Sequence, residues 1–470
     1  MKHFILFIVI SFILLLFPRD ALAIYPPTSV DNNIYGIHVA DPVDIQKAKY
    51  LVNSSDGDWG YVTLVIRENE RNLERWQDVF NELRRKHLIP IIRIASKQNE
   101  LGWEKFQKND VDDWVYFLNS LNWVIKNRYV VIGNEPNHAK EWEGEINPEE
   151  YAQVLKDFSV ALKESSEDFY VLPAGFDASA PNSKITLSEE DYLLRMYQYD
   201  NEIFTHIDGW VSHSYPNPEF SGSEYGYGKG TIRTFEWELG FIRNLGGKKE
   251  LPVFITETGW IHSRNDEASE YYNPDELVSK YDHAFNGVWR KDPRIVVVTP
   301  FLLNYNELPF NSFSWIDLNS NKYPFYESVQ NHQKLKGNPI QVVDGEILFS
   351  LTPKIIKKGD PFQGMMLVIN TGQSIWGEGE YEVVIKNPDS TISNQKVISY
   401  LEPGDTTLIP VKSNGALETN FEGTAQLYFE GNPFSNVYTL NIEVVENTSL
   451  KLILSNILIY VMNMFGRSEF

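Results

Sequence analysis

The chain reads as an α/β protein, a (β/α)8 TIM barrel followed by an all-β sandwich domain. Three observations carry this. From Asn33 to about Lys334, short apolar runs rich in β-branched residues alternate with stretches of helical periodicity. Eight such runs fall within ~300 residues, a length suited to a (β/α)8 barrel. After Lys336 the helical pattern stops, and short alternating strands separated by Gly, Asn, Asp and Pro turns replace it. For the first part, periodicity alone leaves a doubly wound open sheet as the alternative. No G-x-G-x-x-G follows the first strand, so the dinucleotide-binding version of that sheet loses its best support.

The eight expected barrel strands are 34–39, 61–66, 89–94, 129–132, 170–172, 209–212, 253–255 and 295–298. Between them, residues 72–86 place Leu73, Trp76, Val79, Phe80 and Leu83 on one helical face. Residues 148–165 open on a proline suited to a first helical turn, and residues 275–290 continue the pattern. In the second part, strands are expected at 346–351, 365–369, 381–385, 407–411, 423–429 and 437–445. The expected organisation is therefore a barrel over residues 24–336 and a sandwich over 337–447, flanked by terminal segments 1–23 and 448–470.

The N-terminal segment suggests export. Lys2 precedes a continuous apolar run from Phe4 to Phe17, and Ala21-Leu22-Ala23 follows as a small-x-small cleavage site. This is the layout of a secretory signal peptide, with an uncleaved anchor as the alternative. An exported protein, extracellular or at the cell surface, is the expectation. At the other end, residues 450–465 are mostly apolar but interrupted by Lys451, Ser455, Asn456 and Asn463. They are expected to form either an interfacial helix or short membrane tether, or a helix packed on the protein.

Composition narrows the partners. A net charge of -22 argues against nucleic acid, because a phosphate-binding surface must be locally basic. With no cysteine, disulfides, thiolate metal sites and a Cys nucleophile are all excluded. Oligomeric state is not legible.

The chemistry lies at two strand ends. Val130-Val131-Ile132-Gly133-Asn134-Glu135-Pro136-Asn137 runs from a buried strand straight into a carboxylate, and Pro136 disfavours a helical conformation at Glu135. Val253-Phe254-Ile255-Thr256-Glu257-Thr258-Gly259-Trp260 repeats the arrangement. In a barrel, the C-terminal ends of strands are where active-site groups gather. By strand count, Glu135 ends strand four and Glu257 strand seven, which face each other across the mouth. Glycoside hydrolysis needs such a pair, one carboxyl protonated and one ionised.

Further candidates stand at other strand ends. Gly209-Trp210-Val211-Ser212-His213-Ser214-Tyr215-Pro216 places His213 and Tyr215 after strand six. A donor to Glu257 from this segment would stabilise its charge. Arg93, at the end of strand three, would lower the pKa of a nearby carboxylate, and Arg67 ends strand two. His38, ending strand one, would either hydrogen-bond sugar or pack in the core. Trp260 and Trp315 are candidate platforms for sugar C–H faces, though either could be core. Tyr225 and Tyr227 sit in a glycine-rich segment that suggests a long loop over the groove.

The N-E-P-N after strand four, the E-T-G-W at strand seven and the H-x-Y after strand six resemble clan A glycoside hydrolases, family 39 and family 5 in particular, over roughly residues 33–334. The resemblance implies that Glu135 is the acid/base, that Glu257 is the nucleophile of a retaining double displacement, and that Asn134 contacts the sugar 2-hydroxyl. It implies that His213 and Tyr215 bond the nucleophile or substrate, and that Trp315 lies below the cleaved sugar. An oligo- or polysaccharide is the implied substrate, with no metal or organic cofactor required. In the second domain, Asn370-Thr371-Gly372 with Trp376 resembles immunoglobulin-like accessory domains. The alternative reading is a non-catalytic glycan-binding or cell-surface interaction protein built on the same barrel.

Overall fold

A computed structural model describes residues 23–247, 250–263, 271–377, 380–387, 391–396 and 400–447. The apolar start and the C-terminal tail expected above lie outside the described residues, apart from Ala23. No helix among the described residues is long and apolar enough to cross a membrane. The chain divides into two compact units, one ending at Ile340 and one beginning at Gln341.

The first unit is a (β/α)8 barrel. Its parallel strands among the described residues are β1 (Gly36–His38), β2 (Gly60–Arg67), β3 (Leu88–Ala95), β4 (Arg128–Ile132), β5 (Phe169–Pro173), β6 (Trp210–His213), β7 (Val253–Glu257) and β8 (Ile295–Val298). Strands β1 to β5 pair in sequence order, as do β6 to β8. Two seams close the circle. Tyr35 bridges Val298, with the His38 N–H donating to Pro300 O at 3.0 Å. Asp177 bridges His213, and the Asp208 N–H donates to Val171 O at 2.8 Å. The strands are apolar on both faces because one face fills the barrel and the other lies under helices. Tyr129 packs against Tyr170 and Phe254, each with ring centroids 5.1 Å away, plugging the interior.

The helices follow local signals. In Leu73–Arg85, the Asn72 side chain caps the Arg75 N–H, and Trp76, Phe80 and Leu83 face inward. Pro148–Ser165 starts with a capping Asn147, a first-turn proline and two glutamates. The single helix expected over 275–290 is broken. An α-helix over Glu276–His283 gives way to a π turn at Ala284–Val288 and a 3-10 turn at Trp289–Lys291. The wider turn accompanies burial of Ala284, Phe285 and Val288, and Trp289 is buried at the start of the 3-10 turn.

The second unit is a sandwich of two sheets. One runs in the order Gly345–Ser350, Gln363–Asn370, Thr406–Lys412. The other carries Ile355–Lys357, Tyr438–Val445, Phe421–Phe429, Tyr381–Lys386 and Thr391–Lys396. Sequence reading missed Ile355–Lys357, which is three residues long, and Thr391–Lys396, a largely polar strand. The N-T-G…W stretch is structural. Asn370 is buried and donates to the carbonyls of Ser374 and Leu401, while Trp376 stacks on Tyr381 with centroids 5.0 Å apart.

Candidate active site

A cleft of ≈ 410 Å³ opens at the C-terminal ends of the barrel strands and contains both glutamates. Glu257 is the last residue of β7 and is 8% exposed; Glu135 lies three residues past the end of β4. One oxygen of each carboxylate and one ring nitrogen of His213 lie within 4.8 Å of one another.

Glu257 is supported from several strands. Arg93, on β3, donates from Nη1 to Glu257 Oε1 at 2.7 Å, and from the same nitrogen to Asn134 Oδ1. The Tyr215 hydroxyl donates to Glu257 Oε2 at 3.1 Å. Burial works against the charge on Glu257. His213, Arg93, His38 and the Tyr215 hydroxyl outweigh it and hold the carboxyl down to about 2. Glu257 is therefore ionised at neutral pH.

Glu135 is held differently. Its Oε1 lies 2.9 Å from His213 Nδ1, whereas that nitrogen is 3.9 Å from Glu257 Oε2. The H-x-Y segment thus serves both carboxylates, His213 bonding Glu135 and Tyr215 bonding Glu257. Burial opposes protonation of His213, but Glu257 and the bond to Glu135 raise it above the ordinary imidazole value. The Glu135 backbone has φ +30°, a left-handed conformation that costs a non-glycine residue about 1–3 kcal/mol. Two backbone bonds secure it, from the Glu135 N–H to Gly175 O at 3.0 Å and from the His138 N–H to Glu135 O at 2.9 Å. Gly175 also makes room for His213, since a Cβ there would come within 2.2 Å of the imidazole.

Loops after β3, β4 and β5 line the cleft with polar groups: Glu104, His138, Lys140, Glu141 and Asp177. Burial and the charge of Glu135 raise the Glu141 carboxyl. Loops after β6 and β8 supply an apolar wall. Phe313 lies 5.2 Å from Phe220 and 5.8 Å from Phe301, and Phe301 lies 5.4 Å from Phe310. Glu135, His213 and Glu257 have the spacing of a cation site. The Arg93 guanidinium already bound to Glu257 opposes a second positive charge there.

Several expected residues lie elsewhere. Trp260 and Trp315 are not platforms in the cleft; they are 1% and 0% exposed and belong to the core. The Trp260 indole donates to Gly222 O at 2.8 Å, and the Trp315 ring packs 4.8 Å from Tyr281 and 5.2 Å from Phe325. Neither ring offers a face to solvent. His38 does not line the cleft either. It is buried with its ring edge-on to Phe301 at 5.1 Å, and desolvation lowers it to about 4. Arg67 lies over Trp103 at 5.7 Å. Tyr225 and Tyr227 are exposed and stand outside the cleft, so the loop they occupy contributes Phe220 instead. Phe301, Phe310, Phe313, His138 and Asp177 were missed. Phe301 comes three residues after β8, a position the strand-end rule would have picked out.

No protein-family model and no curated protein matches the chain. Solved structures that it is similar to include a calcium-binding mutant of Bacteroides uniformis β-glucuronidase 2, at 12% identity over 88% of this chain and 45% of that one, with a TM-score of 0.41. A Croceicoccus marinus glucosidase is 9% identical over 81% of this chain and 96% of that one, with a TM-score of 0.45. A broad-specificity endoglucanase from Clostridium acetobutylicum is 14% identical over 64% and 96%, with a TM-score of 0.40. The chain spans less than half the length of the three β-glucuronidase structures it matches. At these identities and TM-scores, the reading of function rests on the site itself.

Two outcomes follow from this geometry. Arg93→Met removes the guanidinium beside Glu257, so its carboxyl should titrate higher by about 1–3 pH units, read by carbon NMR of labelled glutamate. Trp315→Ala should lower stability by about 3–5 kcal/mol in denaturant titrations, as a core truncation does, without opening onto the cleft.

Proposed function

We propose that the chain is a retaining glycoside hydrolase acting on an oligo- or polysaccharide, with Glu257 as nucleophile and Glu135 as acid/base. The observation that carries this reading is the pair of carboxylates at the barrel mouth with oxygens within 4.8 Å, one of them held ionised. Retaining enzymes keep their two carboxyl groups ~5–5.5 Å apart, whereas inverting enzymes need ~6.5–9.5 Å to admit a water.

In the first step, Glu257 attacks the anomeric carbon while the bond to the leaving oxygen breaks. Glu135 gives its proton to that oxygen. In the second, Glu135 takes a proton from water, the water oxygen bonds to the anomeric carbon, and Glu257 departs as a carboxylate. Arg93 and Tyr215 each occupy one Glu257 oxygen, and a carboxylate oxygen retains a further lone pair for attack. His213 orients Glu135 toward the cleft. The reaction as written uses side chains and water alone. The apolar start of the chain supports action outside the cell.

The assignment predicts a leaving-group dependence. Glu257→Gln should lose at least about 10³-fold in kcat on every glycoside. Glu135→Gln should lose ~10²–10⁴-fold on natural linkages but far less on a dinitrophenyl glycoside, whose departure needs little protonation. Proton NMR of the first product should show the substrate's anomeric configuration. Full turnover by Glu257→Gln, or inverted product, would overturn the assignment.

A further inference from the structure

A second acid–base couple sits in the cleft beside Glu135. His138 Nε2 lies 2.8 Å from Asp177 Oδ2, and both residues line the cleft. They are 39 residues apart in the chain, on the loops after β4 and β5. The couple is held firmly. Asn137 donates to Asp177 O at 2.9 Å and accepts from the Asp177 N–H at 3.2 Å. The Ser179 N–H donates to Asp177 Oδ1 at 2.8 Å. The His138 N–H is itself bonded to the Glu135 carbonyl, so the ring is fixed relative to the proton donor.

Asp177 therefore binds one ring nitrogen and sets the orientation of the imidazole. His138 is partly exposed, with 21% of its side chain open, so the couple does not serve burial alone. The proposed chemistry does not use it. Proton donation places the leaving group on the Glu135 side of the cleft. There the loops after β3, β4 and β5 present donors and acceptors beside the rings of Trp103, Phe106 and Trp142, whereas the loops after β6 and β8 contribute phenylalanines with few polar groups. A sugar leaving group suits that side, with hydroxyls for the polar groups and C–H faces for the rings.

Resting on the glycosidase reading, we propose that His138, locked by Asp177, hydrogen-bonds a hydroxyl of the departing sugar and so determines which leaving groups the site accepts. The bond engages the leaving group only, so its loss should be felt with sugars and not with aglycones that lack hydroxyls.

The test compares wild type and His138→Ala on two substrates of whichever sugar wild type turns over fastest: the disaccharide and the dinitrophenyl glycoside. The expected result is a fall of about 10- to 100-fold in kcat/KM on the disaccharide, with the dinitrophenyl glycoside within about 2-fold of wild type. The dinitrophenyl rate also reports that the variant is folded. Equal losses on both substrates would mean that the couple only braces the two loops, and would overturn the proposal. So would an unchanged disaccharide rate. Absence of turnover by wild type on any glycoside would instead remove the glycosidase reading, and this proposal with it.

Discussion

The site depends on keeping one carboxylate charged where water is scarce. Glu257 is 8% exposed, and desolvating a carboxylate costs several kcal/mol unless its charge is met by well-placed partners. Arg93 meets it with a direct ion pair at 2.7 Å, Tyr215 with a hydroxyl at 3.1 Å, and His213 through its nearby charge. These partners come from β3 and from the end of β6 and the loop after it, while Glu257 ends β7. No single segment could assemble them. The closed parallel barrel does so because it points every strand end at one mouth.

The same constraint orders the neighbouring residues. The Arg93 nitrogen that binds Glu257 also binds Asn134, which stands next to Glu135. His213 sits between the carboxylates and bonds the one that Arg93 does not. Gly175 leaves the space that the imidazole occupies, and the Gly175 carbonyl accepts the N–H of the strained Glu135. Strain at Glu135 is thus tied to the placement of His213 through one glycine. The two carboxylates acquire different surroundings from adjacent parts of the same network.

Much of this frame was legible in sequence because strand ends announce themselves. An apolar run that stops at Asn134-Glu135-Pro136 or at Thr256-Glu257-Thr258 marks both a barrel strand and the group it presents. Arg93 and the His213–Tyr215 segment were legible by the same rule. Trp260 and Trp315 were not, because a large aromatic residue has the same local signature whether it stacks on a ligand or fills a core. Burial was decided by partners from other segments, Gly222 and Tyr281 for Trp260, and Tyr281 and Phe325 for Trp315. The opposite error concealed His138: its partner Asp177 is contributed by the next loop, and no spacing within one segment signals that meeting. The broken helix after His283 has a similar origin, since the apolar residues Ala284, Phe285, Val288 and Trp289 are all buried where the chain leaves α-helical geometry.

Retention through double displacement requires Glu257 to form a covalent bond to sugar. The most direct measurement incubates the protein with a panel of 2-deoxy-2-fluoroglycosides bearing good leaving groups, then determines intact mass and maps the labelled peptide. One fluoroglycosyl group should be added, on the peptide that contains Glu257 and not on the one that contains Glu135. A protein that hydrolyses natural glycosides yet accumulates no adduct, or carries it on Glu135, would rule out Glu257 as the nucleophile.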